Sequence, residues 1–205
     1  SIGAISGAQH SDVGALDFLQ RTALDAQISS DKISEIAKRF HPAVEYPRSQ
    51  LADSLSLVAR MIAGGLPTRV YYVSQGGYDT HTNQINAHDR LMTELGDAVG
   101  AFCKDLQAQK NFDRVLLMTF SEFGRRVAQN GSNGTDHGAA APMFMAGGGA
   151  KAGLFGQYPS LTKLSDGDLI HTVDFRSVYA TVLDKWLGAP SELVLGRKFP
   201  LLPIV

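Results

Sequence analysis

The chain has 205 residues, 44% of them apolar and 19% charged, enough for a buried core in one large domain or a tightly joined pair. Its 19 Lys and Arg nearly balance 20 Asp and Glu, which argues against a nucleic-acid groove or an acidic tail. No apolar stretch approaches the ~20 residues that span a bilayer, and the single cysteine, Cys103, excludes an internal disulfide and a thiolate zinc cage.

The opening residues, SIGAISGAQHSDVGALDFLQ, carry neither the basic n-region nor the apolar h-region of a signal peptide. Val13, Leu16, Leu19 and Leu24 recur at helical spacing and predict a helix over Val13–Leu24, with Ser11 or Asp12 as its cap. A second helical stretch, Ile33–Phe40, stops before Pro42. Leu51, Leu55, Val58, Ala59 and Ile62 predict a helix over Ser49–Ala63 that Gly64-Gly65 ends. TRVYYVSQGG, residues 68–77, is short, β-branched and aromatic, and its closing glycines complete the pattern of a strand.

The longest helix is predicted over Ile85–Leu106, where Ile85, His88, Met92, Leu95, Val99, Phe102 and Leu106 step by three and four. Val115–Phe120 predicts a second strand, and APMFMAGGG, residues 141–149, a third that is apolar on both faces. The last helix is predicted over Phe175–Leu187, with Gly188 at its end and Pro190 beyond. Apolar strands separated by amphipathic helices predict a single α/β domain, a sandwich on a mainly parallel sheet. Ligand sites in such folds lie outside the carboxyl ends of the strands.

The chemistry-bearing residues cluster at those ends. The first predicted strand runs into Asp79-Thr80-His81, the second into Ser121-Glu122-Phe123-Gly124-Arg125-Arg126, and after a polar loop comes Gly134-Thr135-Asp136-His137-Gly138. Carboxylate oxygen and imidazole nitrogen are the ligand set of zinc, manganese or iron when thiolates are absent. Flanking glycines let the backbone bend so that a short Asp-His or Asp-x-His pair converges. Each residue also has a structural reading. Asp79 and Asp136 suit turns beside glycine, and Glu122 suits a bridge to Arg125 or Arg126. His88 suits a hydrogen-bonded place on the buried stripe of its helix, Asp174 a helix cap, and His10 and His41 the surface.

Three stretches, RVYYVSQGGYDTHTNQ, MTFSEFGRRVAQNGSNGTDHGAAAPMFMAGG and HTVDFRSVYATVLDKWLG, together resemble the bacterial family called domain of unknown function 1501, from about Pro47 to Gly188. That family resembles a branch of the alkaline phosphatase and sulfatase superfamily. The resemblance implies a three-layer αβα fold with a two-metal site at the carboxyl edge of a mainly parallel sheet. It implies Asp79, His81, Asp136 and His137 as ligands of divalent metal ions, zinc or manganese, with Arg125 or Arg126 holding an anion. In the superfamily the adjacent Asp-His pair commonly follows its strand directly. Here Ser121-Glu122 holds that place, so either Glu122 or Asp136-His137 fills it. The superfamily nucleophile follows the first strand, and no such residue precedes Asp79, so the chain is expected to be the C-terminal part of a longer protein and a slow catalyst alone. Export to the periplasm or cell surface is implied by the resemblance only.

Three functions follow as expectations. The leading one is metal-dependent hydrolysis of a phosphate or sulfate ester, with a small anionic ester or a polysaccharide-linked substrate as partner. The second is a non-catalytic binding domain with a degenerate metal site. The third makes Ser121 a metal-free nucleophile, with His137 as base and Asp136 as orienter, although the Gly-x-Ser-x-Gly elbow is absent around it.

Overall fold

The computed structural model of the protein describes residues 2–205, with side chains for residues 17–24 and 27–205. It divides into two units, Ser1–Pro42 with Ser56–Tyr71, and Ala43–Leu55 with Tyr72–Val205. No helix of the described residues is long and apolar enough to cross a membrane.

The first unit is helical. Helix α1 runs unbroken over Ile2–Arg39, joining what the spacing predicts as two helices. No glycine or proline lies between Leu24 and Ile33 to stop it. The i,i+4 pairs Asp17–Arg21, 2.9 Å apart, and Gln27–Asp31, also 2.9 Å apart, support its exposed surface. Ser11 and Asp12 fall inside this helix rather than at its start; their side chains, and that of His10, lie outside the described residues. His41 is exposed, as expected. Ile36 is buried beside Gly64, where an added Cβ would stand 2.7 Å from the Ile36 side chain. Arg60 donates to the carbonyl of Ala37 at 2.8 Å.

Helix α2 spans Gln50–Ala63, and Leu51, Leu55, Val58, Ala59 and Ile62 are all buried as their spacing predicts. Its end is a Schellman-like turn. Gly65 has φ 70°, and Leu66 N donates to the carbonyl of Met61 at 3.1 Å.

The second unit takes the start of α2, up to Leu55, and the chain from Tyr72 onward. Helix α3 spans Gln84–Ala108, but its buried face is Leu91, Ala98, Ala101, Phe102, Asp105 and Leu106. The predicted stripe is rotated at its start, because Ile85 and Met92 are exposed and Leu91 takes the inner position. His88 is exposed too, with its ring edge-on to Tyr78 at 6.1 Å. The stripe misleads because small alanines, not the bulkier residues one step away, face the core. Asp105 is fully buried on this face. Its carboxylate accepts from Ala43 N (2.9 Å), Tyr46 Oη (3.0 Å) and Gln109 Nε2 (2.9 Å).

The predicted three-layer αβα sandwich with a mainly parallel, alkaline-phosphatase-like sheet is not what forms. The strands make two small antiparallel pairs. Strand β1, Leu116–Met118, pairs with β4, Met145–Gly147, in the register Leu116↔Gly147 and Met118↔Met145. Strand β2, Gly124–Gln129, pairs with β3, Thr135–Gly138. Residues 68–77 join neither sheet. Their β-branched and aromatic side chains suit a pleated surface, but propensity without a ladder partner and a covered face does not make a strand. Val70 and Tyr72 are 68% and 74% exposed.

Helix α4, Phe175–Thr181, continues through a π-helical turn, Val182–Leu187, to Gly188 at φ 62°. Together they cover the predicted last helix. Thr181 is fully buried and accepts from Leu202 N at 2.8 Å, which ties the C-terminal segment to this helix. Helix α5, Ser191–Leu195, follows. Asp174 caps α4, accepting from Arg176 N at 2.9 Å and gripping the guanidinium of the same residue at 2.6 Å. The Arg176 side chain and backbone hold its carboxyl down at about 2. Asp174→Ala is expected to cost about 1 kcal/mol. Because the carboxyl is depressed in the folded state, its contribution is complete above pH ~4 and lost as pH falls toward ~2. Thermal melts of both proteins from pH 7 to pH 2 should therefore converge at the acid end.

Candidate metal centre

The centre is assembled from two segments that the fold pins together. One is the 79–84 loop that leads into α3. The other is the β2–β3 hairpin. Asn83 N donates to the carbonyl of Ser132 at 3.0 Å, Gln84 N to that of Asn133 at 2.9 Å, and Thr135 Oγ1 to Gln84 Oε1 at 3.0 Å.

Asn130 organises the hairpin turn. Its side-chain oxygen accepts from Ser132 N (2.9 Å) and Gly134 N (3.0 Å), while its amide nitrogen donates to the carbonyl of His81 at 2.9 Å. Asn133 sits at φ 59°, a conformation that asparagine tolerates. The two Asn-Gly dipeptides, 130–131 and 133–134, were the signal for this hairpin. Read as a polar loop, they hide the fact that Thr135–Gly138 is a strand.

Gly134 permits the close approach. An added Cβ would overlap the His81 carbonyl and stand 2.6 Å from Thr82 N. Gly134→Ala is therefore expected to force the loop off the hairpin, costing ~1–3 kcal/mol, and to weaken metal binding about tenfold with every ligand intact. Thermal melting and calorimetric metal titration check the two effects.

Three side chains meet in the middle. Nε2 of His137 lies 2.7 Å from Asp79 Oδ1, and Nε2 of His81 lies 3.0 Å from the same oxygen. Among the described residues these three form the one group of metal-capable side chains, with ligand atoms all within 4.8 Å of one another. The His81 and His137 rings stand 4.9 Å apart, and His137 stacks on Phe123 at 3.8 Å and 7°. All three are open to solvent, with side chains 45–65% exposed. Hydrogen bonding from His137, then the positive fields of His81 and Arg125, hold the Asp79 carboxyl below its ordinary range.

The other expected residues sit around this group. Asp136 Oδ1 lies 3.4 Å from the second nitrogen of His81, Nδ1, and 3.3 Å from Asn130 Nδ2. These contacts, Asn130 first, depress its carboxyl. Arg125 is committed to structure: its guanidinium bonds the carbonyls of Thr135 (2.7 Å) and Tyr78, reaches Asp79 at 3.5 Å, and lies 4.9 Å over the Phe123 ring. Glu122 is exposed and outside the group of three, and Arg126 is exposed on the irregular stretch of β2 where the ladder slips between Arg125 and Gln129. Ser121 Oγ donates to the carbonyl of Phe123 at 2.7 Å. Asp136 faces His81, not His137, so the metal-free Ser121 triad has no assembled base and orienter.

The donor geometry favours added positive charge. A neutral imidazole has one N–H, yet both His81 nitrogens face carboxylate oxygens. A neutral ring would set a lone pair against an anion at one of them, and either a second proton on His81 or a metal ion relieves that contact. Asp79, His81 Nε2 and His137 Nε2 could hold a divalent ion, and His81 Nδ1–H would then be free to donate to Asp136. That arrangement is the usual support of a metal-bound histidine by an outer carboxylate. Ligand atoms around a tetrahedral zinc, bonded at ~2.0–2.1 Å, stand roughly 3.3 Å apart, and the two Nε2 atoms lie 2.7 and 3.0 Å from Asp79 Oδ1.

No curated protein and no solved structure matches the chain. The family described as Protein of unknown function (DUF1501) matches residues 7–197, nearly the whole sequence and all of the centre. The chain belongs to that family.

Proposed function

We propose that the protein is a metal-dependent hydrolase of phosphate or sulfate esters, working at Asp79, His81 and His137. The observation that carries this reading is the convergence of two imidazoles and a carboxylate from separate segments on one solvent-open point. Zinc or manganese suits the nitrogen-rich, thiolate-free set. When bound, such an ion polarises an ester oxygen and acidifies water.

The chain's own residues do the rest. Asp136 holds His81 in one tautomer and orientation. Phe123 fixes the plane of the His137 ring, and Arg125 fixes both Asp79 and the hairpin behind it. Arg126, which makes no structural hydrogen bond among the described residues, is the cation left available to touch the substrate. Kinship with the alkaline phosphatase and sulfatase superfamily belongs to this proposal as a kinship of chemistry, and export to the periplasm or cell surface belongs to it as well.

The test is hydrolysis of p-nitrophenyl phosphate and p-nitrophenyl sulfate by the purified chain. Turnover is expected to be slow, abolished by EDTA and restored by zinc or manganese. A metal-loaded protein no faster than its His137→Ala variant on both substrates would contradict the reading. Metal uptake without turnover would point instead to a binding domain.

A further inference from the structure

A cavity of about 390 Å³ opens between Arg126 of β2, Ala139 just after β3, and the 165–171 segment that precedes α4. Its volume lies in the range of small-molecule sites, ~300–1,000 Å³. The turn Ser165–Asp168 forms one side, with Asp166 at φ 50° and Gly167 at φ 80°, closed by reciprocal backbone bonds of 3.0 and 2.9 Å between Ser165 and Asp168. Asp168 ties this turn to the centre's own hairpin: its carboxylate accepts from Ala139 N and Leu169 N, each at 2.7 Å. Both Asp168 oxygens are thus engaged, and Ala139, which one of them holds, lies two residues beyond His137.

What remains for a ligand is mixed in sign. Arg126, Asp166 and His171 line the cavity, and their side chains make no hydrogen bond or ion pair among the described residues. Ser165 adds a hydroxyl, and Leu169 and Ile170 an apolar wall. An anion would meet Asp166, and a cation would meet Arg126. A neutral polyol donates to Asp166, accepts from Arg126, and does both with Ser165 and His171. The apolar wall suits the C–H face of a sugar ring.

We propose that this cavity is a saccharide subsite. Resting on the hydrolase reading, it would hold the alcohol side of the ester, making the substrate a phosphorylated or sulfated sugar. The binding step itself needs no metal, so the test separates the two ideas.

The whole chain, in EDTA, is titrated with methyl α-glucoside, methyl β-galactoside and N-acetylglucosamine, and the backbone amides of Ala139 and Ser165–His171 are followed by NMR. Binding of at least one sugar is expected. It should weaken at least tenfold in Arg126→Ala and in Asp166→Asn, the latter chosen because asparagine keeps the positive φ. It should persist in His137→Ala. No sugar binding, or sugar binding that both substitutions leave unchanged, would overturn the proposal. Sugar binding by a protein that takes up no metal would sustain the subsite and remove the hydrolase.

Discussion

His137→Ala is expected to lower the affinity for zinc or manganese by at least about 100-fold, with the thermal midpoint moving only a few degrees. Removing an outer partner of a metal-bound histidine typically costs 10–100-fold, and loss of a ligand itself should exceed that. The fold should survive because the ring is nearly half exposed and lies at the surface against Phe123 and His81. Asp79→Asn should act as strongly, since an amide replaces the one charged ligand, whose oxygen faces both histidines. Asp136→Asn should act more weakly, within the 10–100-fold band, because Asp136 works through His81 Nδ1. Isothermal titration of the four proteins checks the ranking. Asp136→Asn as damaging as Asp79→Asn would make Asp136 a ligand rather than a support.

Asp105→Ala is the substitution expected to damage the fold most, by ~3 kcal/mol. The carboxylate is fully buried and receives three donors, Ala43 N, Tyr46 Oη and Gln109 Nε2. Truncation leaves these donors without their acceptor, and an unmade buried hydrogen bond costs more than a made one contributes. Burial, reinforced by the bond to Asp105, pushes the Tyr46 phenol above its ordinary range, so it stays a donor. Asp105→Asn should cost less, about 1 kcal/mol. Its oxygen can still accept from Ala43 and Gln109, and its amide can donate to a Tyr46 hydroxyl that turns to accept. Urea titrations with an unchanged m-value should show midpoints in the order wild type, Asn, Ala. Equal losses for Asn and Ala would mean that charge, not hydrogen bonding, is what the site requires.

The helices were largely legible from residue spacing. The five apolar positions of α2 are all inside, and the helical run from Phe175 ends at Gly188 as its glycine predicts. Spacing failed where two stripes compete, as at Leu91 against Met92, because periodicity reports a face only to within about one residue. It failed more completely for the sheet. An apolar run says that a strand wants cover, not which strand pairs with it or in which direction, and β1 found β4 antiparallel.

At the centre, the residue types Asp79, His81, Asp136 and His137 mark the chemistry, but their division of labour depends on contacts that no spacing encodes. Which imidazole nitrogen faces Asp136 separates a support from a ligand. Arg125 and Arg126 are neighbours in sequence, yet one is locked onto two carbonyls and the other lines a cavity. Asp105 carried no motif at all; only its burial on α3 reveals it.

The central claim is that Asp79, His81 and His137 hold one divalent ion. It is tested most directly by anomalous diffraction from crystals of the protein grown with zinc, and again with manganese. A single anomalous peak at ~2.0–2.2 Å from Asp79 Oδ1, His81 Nε2 and His137 Nε2, absent in His137→Ala, is the expected result. No peak at these atoms, or one held by other residues and untouched by the substitution, would contradict it.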